Sequence, residues 1–422
     1  MSRERHRVLY VQKPKGGGSA TGLYELVRCL DRDRVDPTVL FYEPNEYCDA
    51  FAELGAKVLV LNDGPGAPGN GSARLSSSLG RLMTPSHGLG QFKRLVRLDW
   101  PLARRIAEVI RAEEVDLVHN NDNPRGDRAS MIAARMAHVP QVSHVRFLPQ
   151  YYRPIDHRLA RFVKFFIYMS EAIEEHYRNE VGVPASMGRV IYDPFDLDTF
   201  RNGVQGARAV REEFGLAPDD PLITNVGRLV PWKGQDVFSE AFSRIVARLP
   251  RARALIVGSP PPNRVGEEYH RRLRGIVERL QLQDHVMFTG FRKDIPEILA
   301  ASDVVVHSAT SPEPFGRIVV EALAAGRPTV ATAAGGVPEI VEHEKTGLLV
   351  PPGDAERMAE AIEALLRDPD AAARMGSAAR RDVAVRFARG RFSRAIQHIY
   401  GLAIDARAAW KPKQVAITDA EA

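Results

Sequence analysis

Short apolar runs alternate with amphipathic stretches along most of this chain. Val8-Leu9-Tyr10-Val11 is the first apolar run and reads as a strand. A glycine-rich segment, Gly16-Gly17-Gly18, follows, and then Leu23, Leu26, Val27 and Leu30 recur at helical spacing. Further strands are predicted at Thr38–Tyr42, Lys57–Leu61, Leu117–Asn120, Gln141–Val145, Phe165–Met169 and Val190–Tyr192. Helical patterns such as Pro101–Ala112 and Arg128–Ala137 separate most of them. Strand and helix in alternation predict a parallel sheet with helices on both faces.

After Phe200 the pattern loosens through Asn202-Gly203, Gly206 and Pro218-Asp219-Asp220-Pro221, which reads as a linker. A second series then begins, with strands predicted at Leu222–Val226, Ala254–Val257, Val286–Thr289, Val304–His307, Thr329–Thr332 and Leu348–Val350. The expected fold class is α/β, with two Rossmann-like doubly wound domains facing a cleft at the carboxyl ends of their strands. The expected boundaries are residues 1–203 and 204–388, then a helix over 389–408 that crosses back to the first domain, and a tail over 409–422. Nucleotide-dependent transferases, dehydrogenases and epimerases all use such an architecture, so the fold alone does not decide the function.

Composition narrows the choice. At 422 residues, 44% hydrophobic and 26% charged, the chain is a folded globular protein of more than one core. No apolar run approaches the ~18 residues of a membrane-spanning helix. Met1-Ser2-Arg3-Glu4-Arg5-His6-Arg7 carries no apolar signal core, so a cytoplasmic location is expected. The two cysteines, Cys29 and Cys48, make neither a disulfide framework nor a zinc site. A net charge of +5 suits an anionic small-molecule ligand and does not indicate nucleic acid.

The most informative stretch is Ser311-Pro312-Glu313-Pro314-Phe315-Gly316-Arg317-Ile318-Val319-Val320-Glu321-Ala322-Leu323-Ala324-Ala325-Gly326-Arg327-Pro328. A buried strand leads into a Pro/Gly-shaped loop, and a helix opens near Gly316. Its unpaired first-turn N–H groups and partial positive charge make an anion site. Glu313 and Glu321 would repel a phosphate, so they are better suited to accept hydrogen bonds from neutral sugar hydroxyls. A second stretch, Gly227-Arg228-Leu229-Val230-Pro231-Trp232-Lys233-Gly234, sets two cations at the end of another strand. Arg228 and Lys233 could neutralise a diphosphate leaving group.

Together these stretches resemble family 4 retaining glycosyltransferases of the GT-B fold, the glycosyl transferases of group 1. The match is to the Glu-x7-Glu motif and the Gly-Arg…Lys-Gly signature. The resemblance implies that Glu313 meets hydroxyls of the donor sugar and Glu321 the ribose. It also implies that the amides near Phe315 and Gly316 meet the diphosphate and sugar. Phe288-Thr289-Gly290-Phe291-Arg292-Lys293-Asp294-Ile295 matches the family's nucleobase loop, which makes Phe291 and Arg292 donor-binding residues. Gly17 and Gly18 match its N-terminal glycine loop. His144, in Val142-Ser143-His144-Val145-Arg146, matches a histidine near the reacting centre, with Arg146 as a possible aid to an anionic group. Asp193-Pro194-Phe195-Asp196 departs from the family's Asn-Gly turn.

The implied activity is retaining transfer of a hexose-type sugar from a nucleoside diphosphate donor, UDP-sugar before GDP-sugar. The acceptor would be a hydroxyl of a glycan, glycolipid or small molecule. The alternatives are a sugar-nucleotide epimerase or hydrolase, or a silent binding subunit. No cofactor is expected. Asp31-x-Asp33 and Asp196-x-Asp198 lack the setting of a metal–diphosphate motif, and the cations can take a metal's place. The basic, apolar-interleaved stretch 72–111 is either a solvated helix face or a peripheral contact with an anionic membrane.

Overall fold

The computed structural model describes residues 5–12, 18–61, 95–147 and 152–405. The chain forms two compact units. One comprises Met1–Met169, Ile173–Asp193 and the chain from Phe392; the other comprises Ser170–Ala172 and Pro194–Arg391.

The first unit is built on a seven-stranded sheet of β1 (His6–Gln12), β2 (Val35–Phe41), β3 (Lys57–Val60), β4 (Leu117–Asn120), β5 (Gln141–Val145), β6 (Phe165–Tyr168) and β7 (Gly188–Val190). The order is β3-β2-β1-β4-β5-β6-β7 and every pairing is parallel. β4 and β5 are buried along their whole length, as strands covered on both faces must be. The core joins Val8, Tyr10, Leu23, Leu26, Val39, Phe41 and Phe51 to Phe392, Ile396, Ile399 and Tyr400 of the helix Arg389–Asp405. That last helix therefore belongs to the first unit.

The second unit carries β8 (Leu222–Val226), β9 (Arg253–Val257), β10 (Val286–Gly290), β11 (Val304–His307), β12 (Thr329–Thr332) and β13 (Leu348–Val350). They form an all-parallel six-stranded sheet in the order β10-β9-β8-β11-β12-β13. Both sheets grow outward from a central strand in opposite directions, the doubly wound arrangement the sequence predicts. Phe238, Phe242, Ile245, Leu273 and Ile362 fill the core on one side. Helix starts are capped locally: Asn263 Oδ1 accepts from Gly266 N at 3.0 Å, Asp354 Oδ1 from Arg357 N at 2.9 Å, and Asp368 Oδ1 from Ala371 N at 2.9 Å.

The division falls after Asp193, not after residue 203. The glycine-rich segment read as a linker is a packed part of the second unit. The helix Leu197–Asn202 and the 3-10 turn Gly203–Gly206 lie on the helix Ile295–Ala301. A β-carbon on Gly203 would collide with Pro296 O, and one on Gly206 would meet Glu297 Cγ at 2.5 Å. The glycines admit a close approach between helices, and composition alone cannot distinguish that from looseness.

Candidate functional site

In the second unit two loops at the carboxyl ends of neighbouring strands meet. One leaves β8 as Gly227–Gly234; the other leaves β11 as Ser308–Gly316. They are stapled together: Ser308 Oγ donates to Lys233 O at 2.8 Å, Thr310 N to Trp232 O at 2.9 Å, and Asn225 Nδ2 to Ser308 Oγ at 2.9 Å. Gly234 has φ 66°, and a β-carbon there would run into Ser308 O, so this junction admits only glycine.

The stapling brings together residues far apart in sequence. Lys233 Nζ forms an ion pair with Glu313 Oε1, and His307 Nε2 lies 3.3 Å from Glu313 Oε2. His307 Nδ1 lies 3.2 Å from Thr332 Oγ1, which orients the ring. Glu313 is 4% exposed. Burial works against its charge, but the His307 ring and the Lys233 ammonium outweigh it, and the pKa falls to about 2. The backbone at Glu313 is pinned as well, since Gly336 N donates to Glu313 O at 2.9 Å. Lys233 Nζ also sits 4.7 Å from the centre of the Trp232 ring.

Gly316, at φ 105°, turns the chain into the helix Arg317–Ala324. Glu321 lies on this helix, with Oε1 3.7 Å from Arg317 Nη2. Burial raises its pKa, while Arg317 and Lys233 act in the opposite direction. Lys233 is thus near enough to act on both glutamates. Phe315 turns inward, buried against Phe195 and Phe387 at ring-centre distances of 6.1 and 5.8 Å. Its side chain anchors the loop. Arg228 is exposed and has no acidic partner among the described residues.

At the end of β10, Phe291 is 72% exposed. Arg292 is committed: Nη2 pairs with Glu213 Oε2 at 2.7 Å and with Asp294 Oδ2 at 2.6 Å. Those carboxylates raise its pKa further and occupy the guanidinium, so what this loop offers a ligand is the Phe291 ring and the backbone.

The first unit holds His144 at the end of β5 with no solvent exposure. Arg146 is not available as a phosphate-binding cation. It pairs with Asp193 Oδ2 and donates through Nε to Asn121 Oδ1 at 2.6 Å. Asp193, the departure from the family turn, is the buried counter-charge this arginine requires. Burial, followed by the Arg146 charge, holds the His144 pKa well below its ordinary value. Gly17 lies outside the described residues. Gly18 is the first residue of the helix Gly18–Arg28. Of the basic stretch, 72–94 also lies outside. In the helix Trp100–Ala112, Ala103, Ile106, Ala107 and Ile110 face inward, and Trp100, Arg104, Arg105 and Arg111 are exposed.

Sequence reasoning missed His307 and Arg317. His307 ends a buried parallel strand at the carboxyl edge of its sheet, the same position that singled out His144. Arg317 is the first residue of the helix already marked as an anion site. Among the described residues no group of histidines, cysteines and carboxylates is arranged to hold a metal, and no helix is long and apolar enough to cross a membrane.

Residues 207–382 match the family described as glycosyl transferases group 1, and residues 17–193 match the glycosyl transferase 4-like domain. The chain belongs to the glycosyl transferases of group 1. It is 37% identical over 179 residues to the D-inositol 3-phosphate glycosyltransferase of Mycobacteroides abscessus, covering 42% of this chain and 38% of that protein. It is 31% identical over 236 residues to the GDP-mannose-dependent alpha-(1-6)-phosphatidylinositol monomannoside mannosyltransferase of Mycobacterium tuberculosis, covering 54% and 59%. In both, the match spans less than two thirds of the relative's length. The solved structure of Anabaena HepE in complex with UDP is similar over 94% of this chain and 100% of its own, at 27% identity and a TM-score of 0.77. HepE is also solved in complex with UDP-glucose.

Proposed function

We propose that this chain transfers a hexose-type sugar from a nucleoside diphosphate donor to a hydroxyl acceptor. One observation carries the reading: Lys233 and Glu313, from different loops, converge with His307 beside the start of the Arg317–Ala324 helix. Lys233, Arg228 and the first-turn amides of that helix supply positive charge for a diphosphate, and they stabilise it most as it leaves. Glu313, ionised through the physiological range, accepts hydrogen bonds from sugar hydroxyls. Glu321 takes the ribose, and the exposed Phe291 ring lies against the base. His144 in the first unit is assigned to a hydroxyl of the donor sugar or the acceptor.

The chemistry needs no metal, because the protein's own cations take that role. No side chain in the second unit's site stands as an unpaired nucleophile, so the proposed retaining route is front-side attack assisted by the departing diphosphate. UDP-glucose is the first donor to try, given HepE, and GDP-mannose the second, given the mycobacterial mannosyltransferase. A peripheral contact of 72–111 with anionic membrane goes with a lipid-linked acceptor; sedimentation with anionic vesicles at low salt tests it, and no binding removes it.

The central test incubates the protein with UDP-glucose or GDP-mannose, with and without polyol and glycolipid acceptors, and follows nucleotide release and product. Acceptor-dependent release supports transfer. Release at full rate without acceptor assigns a hydrolase. Glu313→Ala and Lys233→Ala should each lower transfer by about 100-fold or more, as loss of a charged group at a developing charge does. Full activity in both variants rejects the site.

A further inference from the structure

A guanidinium only donates hydrogen bonds and keeps its charge at every pH a folded protein meets. Arg146 Nη2 lies 3.3 Å from His144 Nδ1. That nitrogen must therefore present its lone pair, and the single proton of the neutral ring sits on Nε2. The guanidinium has no freedom to turn away. Nη1 pairs with Asp193 Oδ2, and Nε donates to Asn121, whose own amide donates to Gln12 Oε1 at 2.5 Å and Ser19 O at 3.1 Å. A β-carbon on Gly22 would strike both Arg146 and Asp193, so the helix Gly18–Arg28 closes over the pair only because glycine stands there.

On the other side of the ring, His144 Nε2 lies 3.7 Å from Asp193 Oδ1. Both atoms are buried, and neither has a hydrogen-bond partner among the described residues. Among the described residues, the other titratable groups beside the ring are His119, edge-on with ring centres 5.4 Å apart, and beyond it the hydroxyls of Tyr400 and Tyr10. A donor and an acceptor this close can both be satisfied by one hydroxyl group: its oxygen accepts from Nε2–H and its proton goes to Oδ1.

We propose that Arg146 is a positioning residue that locks His144 as the neutral Nε2–H tautomer, and that Nε2–H and Asp193 Oδ1 together bind one neutral hydroxyl. His144 then serves as a hydrogen-bond donor, not as a base. The hydroxyl belongs either to the sugar substrate or to an enclosed water. The substrate part rests on the transfer function proposed above; the tautomer does not.

The experiment is nitrogen-15 imidazole NMR on the full chain, with the His144 signals assigned by their loss in His144→Asn. The expected result is an acceptor-type Nδ1 and a protonated Nε2, unchanged between about pH 8 and about pH 5.5. A proton on Nδ1, or a doubly protonated ring at neutral pH, overturns the proposal in the unaltered protein, whether or not any variant folds. In Arg146→Met/Asp193→Asn, which leaves no buried charge unpaired, the two tautomers should mix, while burial still keeps the ring neutral over that range. An unchanged spectrum there also overturns it. Addition of UDP-glucose or GDP-mannose, with binding followed separately by thermal shift, should move the Nε2–H signal, while UDP or GDP alone should not. A donor that binds without moving it assigns the hydroxyl to water and rejects the substrate part. A donor that neither binds nor turns over rejects the transfer reading and leaves the tautomer result standing.

Discussion

Glu313 keeps its charge in a nearly closed environment because His307 and Lys233 face its two oxygens. Its pKa of about 2 lies below the ordinary 4.5, so its contribution to stability is complete above about pH 4.5 and is lost as the pH falls toward 2. Glu313→Gln should flatten the acid side of the stability curve over that window, measured by urea denaturation at stepped pH. A slope identical to the unaltered protein's would mean the carboxylate is not held down by its neighbours. Arg228 offers the complementary case. It is exposed and unpaired among the described residues, so Arg228→Ala should change stability by no more than about 0.5 kcal/mol. It should nevertheless weaken nucleoside diphosphate binding by about 10-fold to 100-fold, the worth of one charged hydrogen bond. Calorimetric titration with UDP and GDP checks this, and unaltered affinity for both would remove Arg228 from the site. The sequence marked Glu313, Lys233 and Arg228, because their types and strand-end loops carry the chemistry. It did not mark His307, since a histidine closing an apolar strand looks like core until its neighbour across the loop is known.

The elements around the site were mostly legible. β4, β5, β8, β11, β12 and β13 span the residues their apolar runs predict; in all but the half-buried edge strand β13, burial of nearly every residue marks the run as a strand covered on both faces. The loop before the Arg317–Ala324 helix was legible in outline only. Phe315 looked like part of a binding motif, and it is the anchor that locks the loop onto Phe195 and Phe387. Phe315→Ala should cost about 3–5 kcal/mol, read from thermal or urea unfolding. A loss below about 1 kcal/mol would show that the loop holds without its anchor. Gly316 adds a backbone condition, for at φ 105° an alanine is strained and would also press on Val337.

At the scale of the whole chain, each unit has its own apolar core, and the chain closes the first with its last described helix. Ile396, Ile399 and Tyr400 of that helix are buried beside Tyr10 and Val39 of the first unit. Ile396→Ala should therefore destabilise the first unit by about 2–5 kcal/mol. Hydrogen exchange should show the loss in β1 and β2, which lie some hundreds of residues earlier in sequence; protection unchanged in those strands would contradict the assignment of the helix. Periodicity alone determined that this chain makes two successive doubly wound sheets, and residue type at strand ends determined where charge and hydroxyl recognition lie. Those are local properties, set by which faces must be buried and which backbone turns a side chain permits. Only the tertiary structure decided that Asn202-Gly203 packs instead of linking, that Arg292 and Arg146 are already held by carboxylates, and that His307 stands against Glu313. Each of those depends on a partner distant in sequence, and burial and pairing of charge cannot be assigned until both partners are in place.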